Sequence, residues 1–378
     1  MVPRTLAALL TAILLATAAC ASTSSSPSAA SLATLAAAAG LVSYDPSAAR
    51  PPTPSASTTP SASSTSAPTA FAVLPGEPGI VYNWPRLADG RWAIFLMRPD
   101  ESDAHEIAAD VPGEHKRPAW SPDGSRLAFV VQDTDHPEGS IWTANADGSG
   151  AALLSAGGTE CPVGLFHPAW SPDGTKLAVV CYPGGADLNS IAVLDLATKS
   201  IRQLATFTSP EVLDNAPTWS PDGASIAFDI LHWDPTGAFL DGSVVATVPV
   251  AGGEIDRLTS PASFMSHPDW SPDGTELVMN SYDLGNIAST PNASNLYTIK
   301  PDGSGLRQIT HSSVDGLMRI GTPNWDPDGS RIAVSVLTAT GPAFTFAHVH
   351  LAFVDAAGGE PVLISTLSGK YPDVRPAR

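Results

Sequence analysis

The five residues Trp-Ser-Pro-Asp-Gly recur along this chain, and recurrence at a near-constant spacing limits the possible folds more than any other property. Copies run from Trp120 to Gly124, Trp170 to Gly174, Trp219 to Gly223 and Trp270 to Gly274, and a fifth, Trp325 to Gly329, carries Asp326 in place of Ser. The Trp residues are 50, 49, 51 and 55 positions apart, a period that belongs to repeat architectures. A Pro stands two residues before each Trp: Pro118, Pro168, Pro217, Pro268 and Pro323. After each Gly and two intervening residues comes an apolar run, such as Leu127-Ala128-Phe129 or Ile332-Ala333-Val334.

This unit reads as a tight hairpin. Trp ends one strand and the apolar run forms the next. Between them Ser-Pro-Asp-Gly suits a type I turn, in which Pro presets φ, Asp tolerates the third position and Gly accepts a positive φ. A Trp repeated once per unit is a packing anchor between units. One carboxylate per turn is a poor metal site, so the motif reads as structural.

A second segment follows each hairpin and aligns without gaps over fifteen residues: Ile94 to Ala108, Ile141 to Ser155, Ile191 to Ala205, Val245 to Thr259, Leu296 to Thr310 and Leu351 to Ser365. It is an apolar strand, a Gly-bearing turn and a second strand. Six copies stand against five of the Trp motif. Before the first lies Gly79-Ile80-Val81-Tyr82, a degenerate form of the Leu-Ala-Phe strand with no Trp unit before it. After the last lies Tyr371-Pro372-Asp373-Val374-Arg375-Pro376, with Pro372 in the Pro slot, Val374 in the Trp slot and Pro376 in the turn-Pro slot. The C-terminus thus supplies the strand missing from the first unit, which closes a ring and removes exposed sheet edges. Four strands (A to D) in each of six units make an all-β protein, a six-bladed β-propeller of four-stranded blades.

The Pro-x-Trp-Ser-Pro-Asp-Gly repeats resemble the PD40 repeats of the TolB C-terminal propeller, over residues 79 to 378. That resemblance implies the fold and is weak for function. TolB carries an N-terminal α/β domain and works in an envelope complex with a peptidoglycan-associated lipoprotein; the expectation here is a linker in place of that domain, so the role does not simply transfer. Related propellers precede the hydrolase domain of prolyl oligopeptidases, but no Gly-x-Ser-x-Gly elbow occurs and no such domain is expected. Oligogalacturonate lyases, propeller enzymes that bind a metal through several His residues, are a third relative. The nearest candidate for such ligands is His348 with His350 on one face of a strand; the plainer reading is a polar stripe at a solvent-facing strand start.

Residues 1–20 look like an export signal: Arg4, an apolar stretch from Leu6 to Ala19, then Thr17-Ala18-Ala19-Cys20. This end resembles a bacterial lipobox, with Thr17 where Leu is commonest; Cys20 would be lipidated, or the signal simply cleaved near Ala19. Residues 21–70, rich in Ser, Ala, Thr and Pro, lack large apolar side chains and read as a disordered linker, leaving 71–378 for the propeller. Cys161 and Cys181 would form a disulfide in an oxidising compartment or remain two buried thiols. The net charge of −18 argues against nucleic acid, whose binding needs Lys and Arg to neutralise phosphates.

The strand order puts the long B-to-C connections on one rim, the expected working face. The residue just before the motif Pro begins the strand nearest the axis. Around the ring it is Arg117, His167, Ala216, His267, Thr322 and Tyr371. Converging at the channel mouth, these would suit a carboxylate or a polar peptide group, or merely line a water-filled channel. His136, His232, Trp233 and Asp283 on the B-to-C connections are secondary candidates. The expectation is an exported, lipid-anchored, monomeric propeller that binds an envelope protein or peptide, with no cofactor, no catalytic residues and no membrane contact beyond the lipid. The alternatives are a metal-dependent, lyase-like enzyme acting on an acidic glycan and a purely structural envelope protein.

Overall fold

The computed structural model describes residues 79–374, apart from 87–88, 99–101, 138, 185–187, 214–216, 235, 237–239, 282–293, 312–317, 341–344 and 369. The export signal, Cys20, the linker and Asp283 lie outside the described residues. Six antiparallel sheets follow one another along the chain. Blade 1 runs Lys370–Val374, Ile80–Pro85, Trp92–Met97, His105–Ile107 across the sheet, so the C-terminal strand pairs with the first described one. Its register sets Ile80 against Val374 and Val81 against Asp373. Blades 2 to 6 each begin with the strand that carries Pro-x-Trp: Glu114–Trp120, Gly164–Trp170, a strand split into Glu211–Leu213 and Thr218–Trp219, Met265–Trp270, and Met318–Trp325. Each of these A strands contacts the A strand of the next blade, and Lys370–Val374 touches both its neighbours, so the ring is complete.

The core is divided into shared packets between blades. Trp219 of blade 4 packs with Ala178 and Ile191 of blade 3. Trp120 packs with Val81 and Ile94 of blade 1, Trp170 with Val130 and Ile141 of blade 2, and Trp325 with Val278 of blade 5. Val374, in the Trp slot of blade 1, packs on Leu351 and Phe353 of blade 6. The Leu-Ala-Phe strands are buried on both faces: Leu127 through Val131 are 0 % exposed. A strand with neighbours on both sides needs a continuous apolar run rather than an alternating one.

The motif turns are closed as a type I turn requires, with Gly174 N–H donating to Ser171 O at 2.8 Å. Ser171 Oγ donates to Asp173 Oδ1 at 2.6 Å and accepts the Lys176 N–H at 2.9 Å. The Ser171 hydroxyl, with the Thr175 N–H and hydroxyl, holds the Asp173 carboxyl down at about 2. In the fifth copy Asp326 cannot donate to a second carboxylate; it pairs with Arg331 at 2.6 Å instead. The turns also interlock: a Cβ placed on Gly174 would touch Pro122 of the preceding blade, and one on Gly274 would touch Pro221.

Two features differ from the sequence-based expectation. Strand A carries one residue more than a plain hairpin. Trp170 lies opposite Leu177, and the pairing shifts between Phe166 and Ala169 so that Leu165 lies opposite Cys181. The same shift occurs at Lys116/Ala119, Ser266/Asp269 and Gly321/Asn324. Second, part of the B-to-C segments expected as loops in blades 4 and 6 is strand. Ser225–Trp233 pairs with Leu240–Pro249, and Arg331–Thr340 with Thr345–Asp355, which puts His232 and Trp233 on paired strands and leaves His348 and His350 on a strand, as expected. Cys161 and Cys181 form a disulfide with Cα atoms 5.4 Å apart, tying the entry of blade 3 to its second strand.

Candidate functional site

The extra residue in strand A is the one before the motif Pro. Arg117, His167, His267 and Thr322 adopt φ of +55°, +54°, +53° and +50°. A positive φ is uncommon for any residue with a Cβ, and a following Pro restricts the backbone further. Each such bulge bends the strand and re-aims its side chains. The bends are held by buried polar groups. Asn83 Oδ1 accepts the Arg117 N–H at 2.6 Å while its amide donates to Ala93 O and His115 O. Thr322 and Ser335 share a hydroxyl hydrogen bond of 2.8 Å.

In blade 5 the support is a short relay. Ser266 Oγ donates to the buried Asp229 Oδ2 at 2.8 Å and lies 2.8 Å from His267 Nδ1. A side-chain hydrogen bond with Asn280 also holds the His267 ring. Burial, and then the nearby Arg117 charge, depress His267 to about 3. The imidazole is neutral, and Arg117 is the cation of this region.

Arg117, His267 and Thr322 line one cavity of about 260 Å³ on the propeller axis. His167 lies outside its wall, buried with its ring edge-on to Phe166. Tyr371 begins the closing strand, and its side chain is outside the described set, as is that of His348. His136 Nδ1 stands 3.3 Å from Asp133, and His232 Nδ1 3.7 Å from Asp241. Neither of these, nor Trp233 or His350, belongs to the cavity wall. Among the described residues no three His, Cys, Asp or Glu side chains gather as a metal site would require.

The wall also contains a slot not singled out from the sequence, the x of Pro-x-Trp. Around the ring it holds Asp373, Ala119, Ala169, Thr218, Asp269 and Asn324. This slot joins every blade to the next. Asp373 Oδ2 accepts Trp120 N–H at 2.6 Å and Asp269 Oδ2 accepts Trp325 N–H at 2.7 Å. Asn324 Oδ1 accepts Val374 N–H at 3.5 Å, and Thr218 donates to Asp269 Oδ1 at 2.8 Å. Where the slot is Ala, the next Trp indole donates to its carbonyl: Trp170 Nε1 to Ala119 O at 3.1 Å, and Trp219 Nε1 to Ala169 O at 3.0 Å.

The two carboxyls face the cavity with protein on every other side. Burial raises Asp269 to about 6, against the lowering effect of the Trp325 N–H and the Thr218 hydroxyl. Burial raises Asp373 to about 7, against the Trp120 N–H and with help from the Asp269 charge. The signal for this slot was in the sequence: a position that is Ala in two blades and Asp, Asn or Thr in the other four. It marks an axis with an apolar side at blades 2 and 3 and a polar side at blades 4, 5, 6 and 1.

Residues 159–316 match the family model PD40, the TolB beta propeller domain. The fold is a TolB-like β-propeller. TolB from Acinetobacter baumannii aligns with it at a TM-score of 0.58 and 18% identity, over 79% of this chain and 66% of that one, just short of two thirds. A putative TolB from Agrobacterium tumefaciens aligns at 0.54 and 20% identity, over 79% of this chain and 98% of that one. An oligogalacturonate lyase from Vibrio parahaemolyticus aligns at 0.49 and 16% identity, over 78% and 75%. No curated protein matches in sequence. Identities this low show the shared fold alone.

Proposed function

We propose that this TolB-like propeller is a non-enzymatic scaffold that holds an envelope protein or peptide at the mouth of its axial cavity. The chain is exported and tethered through lipid on Cys20. The observation that carries the reading is the meeting of Arg117, His267 and Thr322, from three blades, on one cavity. Each sits on a strained backbone, a kind of strain that costs about 1–3 kcal/mol and persists where position matters. Arg117 offers a fork of N–H donors to a carboxylate or peptide carbonyl, and His267 adds a neutral polar ring to the wall. A cavity of about 260 Å³ admits a side chain or a chain end rather than a folded domain.

The test is crosslinking in the native envelope followed by recovery of partners with wild-type protein and with Arg117→Ala/His267→Ala. Loss of recovered partner in the double variant supports the reading; unchanged recovery sinks it. The tether has a separate test. Cys20→Ser should move the protein from the membrane fraction to the soluble one, and continued membrane retention would overturn the anchor.

A further inference from the structure

We infer that the axial cavity receives a lysine side chain of the partner, with its ammonium held by Asp269, Asn324 and Asp373 and its peptide carbonyl held by Arg117. This rests on the partner-binding reading above and names the group that enters.

Four consecutive blades put an oxygen-bearing side chain in the x slot, and three of these side chains, Asp269, Asn324 and Asp373, carry a carboxyl or amide oxygen onto the one cavity. Each already accepts a backbone N–H from the next blade, so none can swing away without breaking a blade junction. Asp269 also accepts the Thr218 hydroxyl and the Trp270 N–H, and Asp373 the Val374 N–H. A carboxylate has about four acceptor sites, so both Asp residues keep capacity toward the axis. An ammonium group carries three N–H donors and no acceptor, which matches three convergent acceptors.

The rest of the wall selects against a bare ion. The motif prolines of all six blades face the cavity, and Ala119 and Ala169 fill the x slot on the opposite side. A calcium ion seeks six to eight oxygens, and magnesium a full octahedron. Proline rings and methyl groups offer none, but they suit the methylene stem of a lysine, which buries its carbons while its head stays polar.

The spacing along the axis fits as well. Arg117 precedes Ala119 by two residues, so it stands at most about 6–7 Å from the x-slot layer, and closer where the bulge shortens the strand. A lysine stem covers about the same distance from Cα to Nζ. With its ammonium at the x-slot layer, its own carbonyl returns to the Arg117 layer. The net charge of −18 draws a basic partner toward the site. Burial of the two acids without a cation is unfavourable to their ionised forms, and both are raised accordingly. A bound ammonium reverses that, so binding near neutral pH should expel protons from the pair.

The test uses the full chain and Nα-acetyl-lysine-N-methylamide as probe, titrated by calorimetry at pH 6.5 in two buffers of different ionisation enthalpy. Parallel titrations use the norleucine counterpart, which lacks the ammonium, and calcium chloride. The expected result is binding of the lysine probe with proton release, at least tenfold weaker binding of the norleucine probe, and at least tenfold loss in Asp269→Asn and in Asp373→Asn. Asparagine retains an acceptor for the Trp325 and Trp120 N–H groups, so circular dichroism should confirm that both variants fold. Equal binding of the two probes, binding indifferent to both Asn variants, or stoichiometric calcium that excludes the lysine probe would overturn the inference. If the lysine probe fails while crosslinking still depends on Arg117 and His267, the lysine assignment falls alone. If both fail, the partner-binding reading falls with it.

Discussion

Asp373 accepts the backbone N–H of Trp120 at 2.6 Å, so a carboxyl near one end of the propeller sequence holds the first Trp of the repeat in place. Removing it strands a part-buried N–H at the junction of blades 1 and 2. Asp373→Ala should destabilise the fold by about 1–3 kcal/mol, and Asp373→Asn, which keeps an acceptor, by less than half of that. Urea unfolding at pH 5, where the native carboxyl is largely neutral, separates the two. Equal losses in both variants would show that the N–H is satisfied elsewhere.

Both axial acids have folded values above the ordinary carboxylate, about 6 for Asp269 and about 7 for Asp373. The native state therefore keeps protons that the unfolded chain releases near pH 4. Their contribution to stability is fully present below pH 4 and is lost as pH rises through 6 to 7. Turn carboxyls such as Asp173, held at about 2, have the opposite sign and lose their contribution as pH falls from 4 toward 2. The comparison that isolates the axial pair is wild type against Asp269→Asn/Asp373→Asn. The double variant should gain on wild type by roughly 4 kcal/mol between pH 5 and pH 8, read from urea midpoints. Parallel pH profiles would dismiss the linkage.

Trp170 packs with blade 2 and donates its indole N–H to Ala119 O at 3.1 Å. Trp170→Phe keeps much of the packing and loses the bond, at a cost of about 1–2 kcal/mol. Trp170→Ala opens a cavity and should cost about 3–5 kcal/mol. Thermal unfolding ranks the two, and a Phe variant as damaging as the Ala variant would mean that the bond outweighs the packing.

Gly174 has φ of +67° and room for a methyl group against Pro122. The penalty for Gly174→Ala is therefore conformational, about 1–2 kcal/mol, and Gly174→Asn should recover part of it because Asn tolerates this region. If Ala and Asn are equally destabilising, contact with Pro122 rather than φ sets the requirement.

The Cys161–Cys181 bond closes a loop with a sequence separation of 20. Cys161→Ser/Cys181→Ser should lower stability by about 3 kcal/mol on loop entropy alone. The change appears as a fall in unfolding temperature matched by wild type under reductant; an unchanged midpoint would show that packing alone holds this segment.

The ring was legible because its chemistry is repeated: Trp for the shared core, Ser-Pro-Asp-Gly for the turn, and Pro372-Asp373-Val374 as the worn copy that closes blade 1. What the sequence did not disclose is where repetition meets irregular backbone. The bulge at Arg117, His167, His267 and Thr322 breaks the two-residue alternation just before a Pro, a place where positive φ is not expected. The long hairpin that carries His232 and Trp233 looked like a loop because its outer half lacks a continuous apolar run. The x slot escaped attention for a third reason. Attention to what is constant in Pro-x-Trp passes over the position that varies, and the variation from Ala119 to Asp269 is what gives the axis two sides.

The pairing of Ile80 with Val374 has a consequence for how the protein comes into being. Pro372 and Asp373 are among the last described residues to leave the ribosome, and they complete both the ring and the wall of the axial cavity. A nascent or truncated chain that stops before residue 370 can hold several finished blades, yet it lacks one of the two axial carboxyls and the junctions to blades 2 and 6. The wall that brings Asp269, Asn324 and Asp373 together is therefore assembled only in chains synthesised through the closing strand.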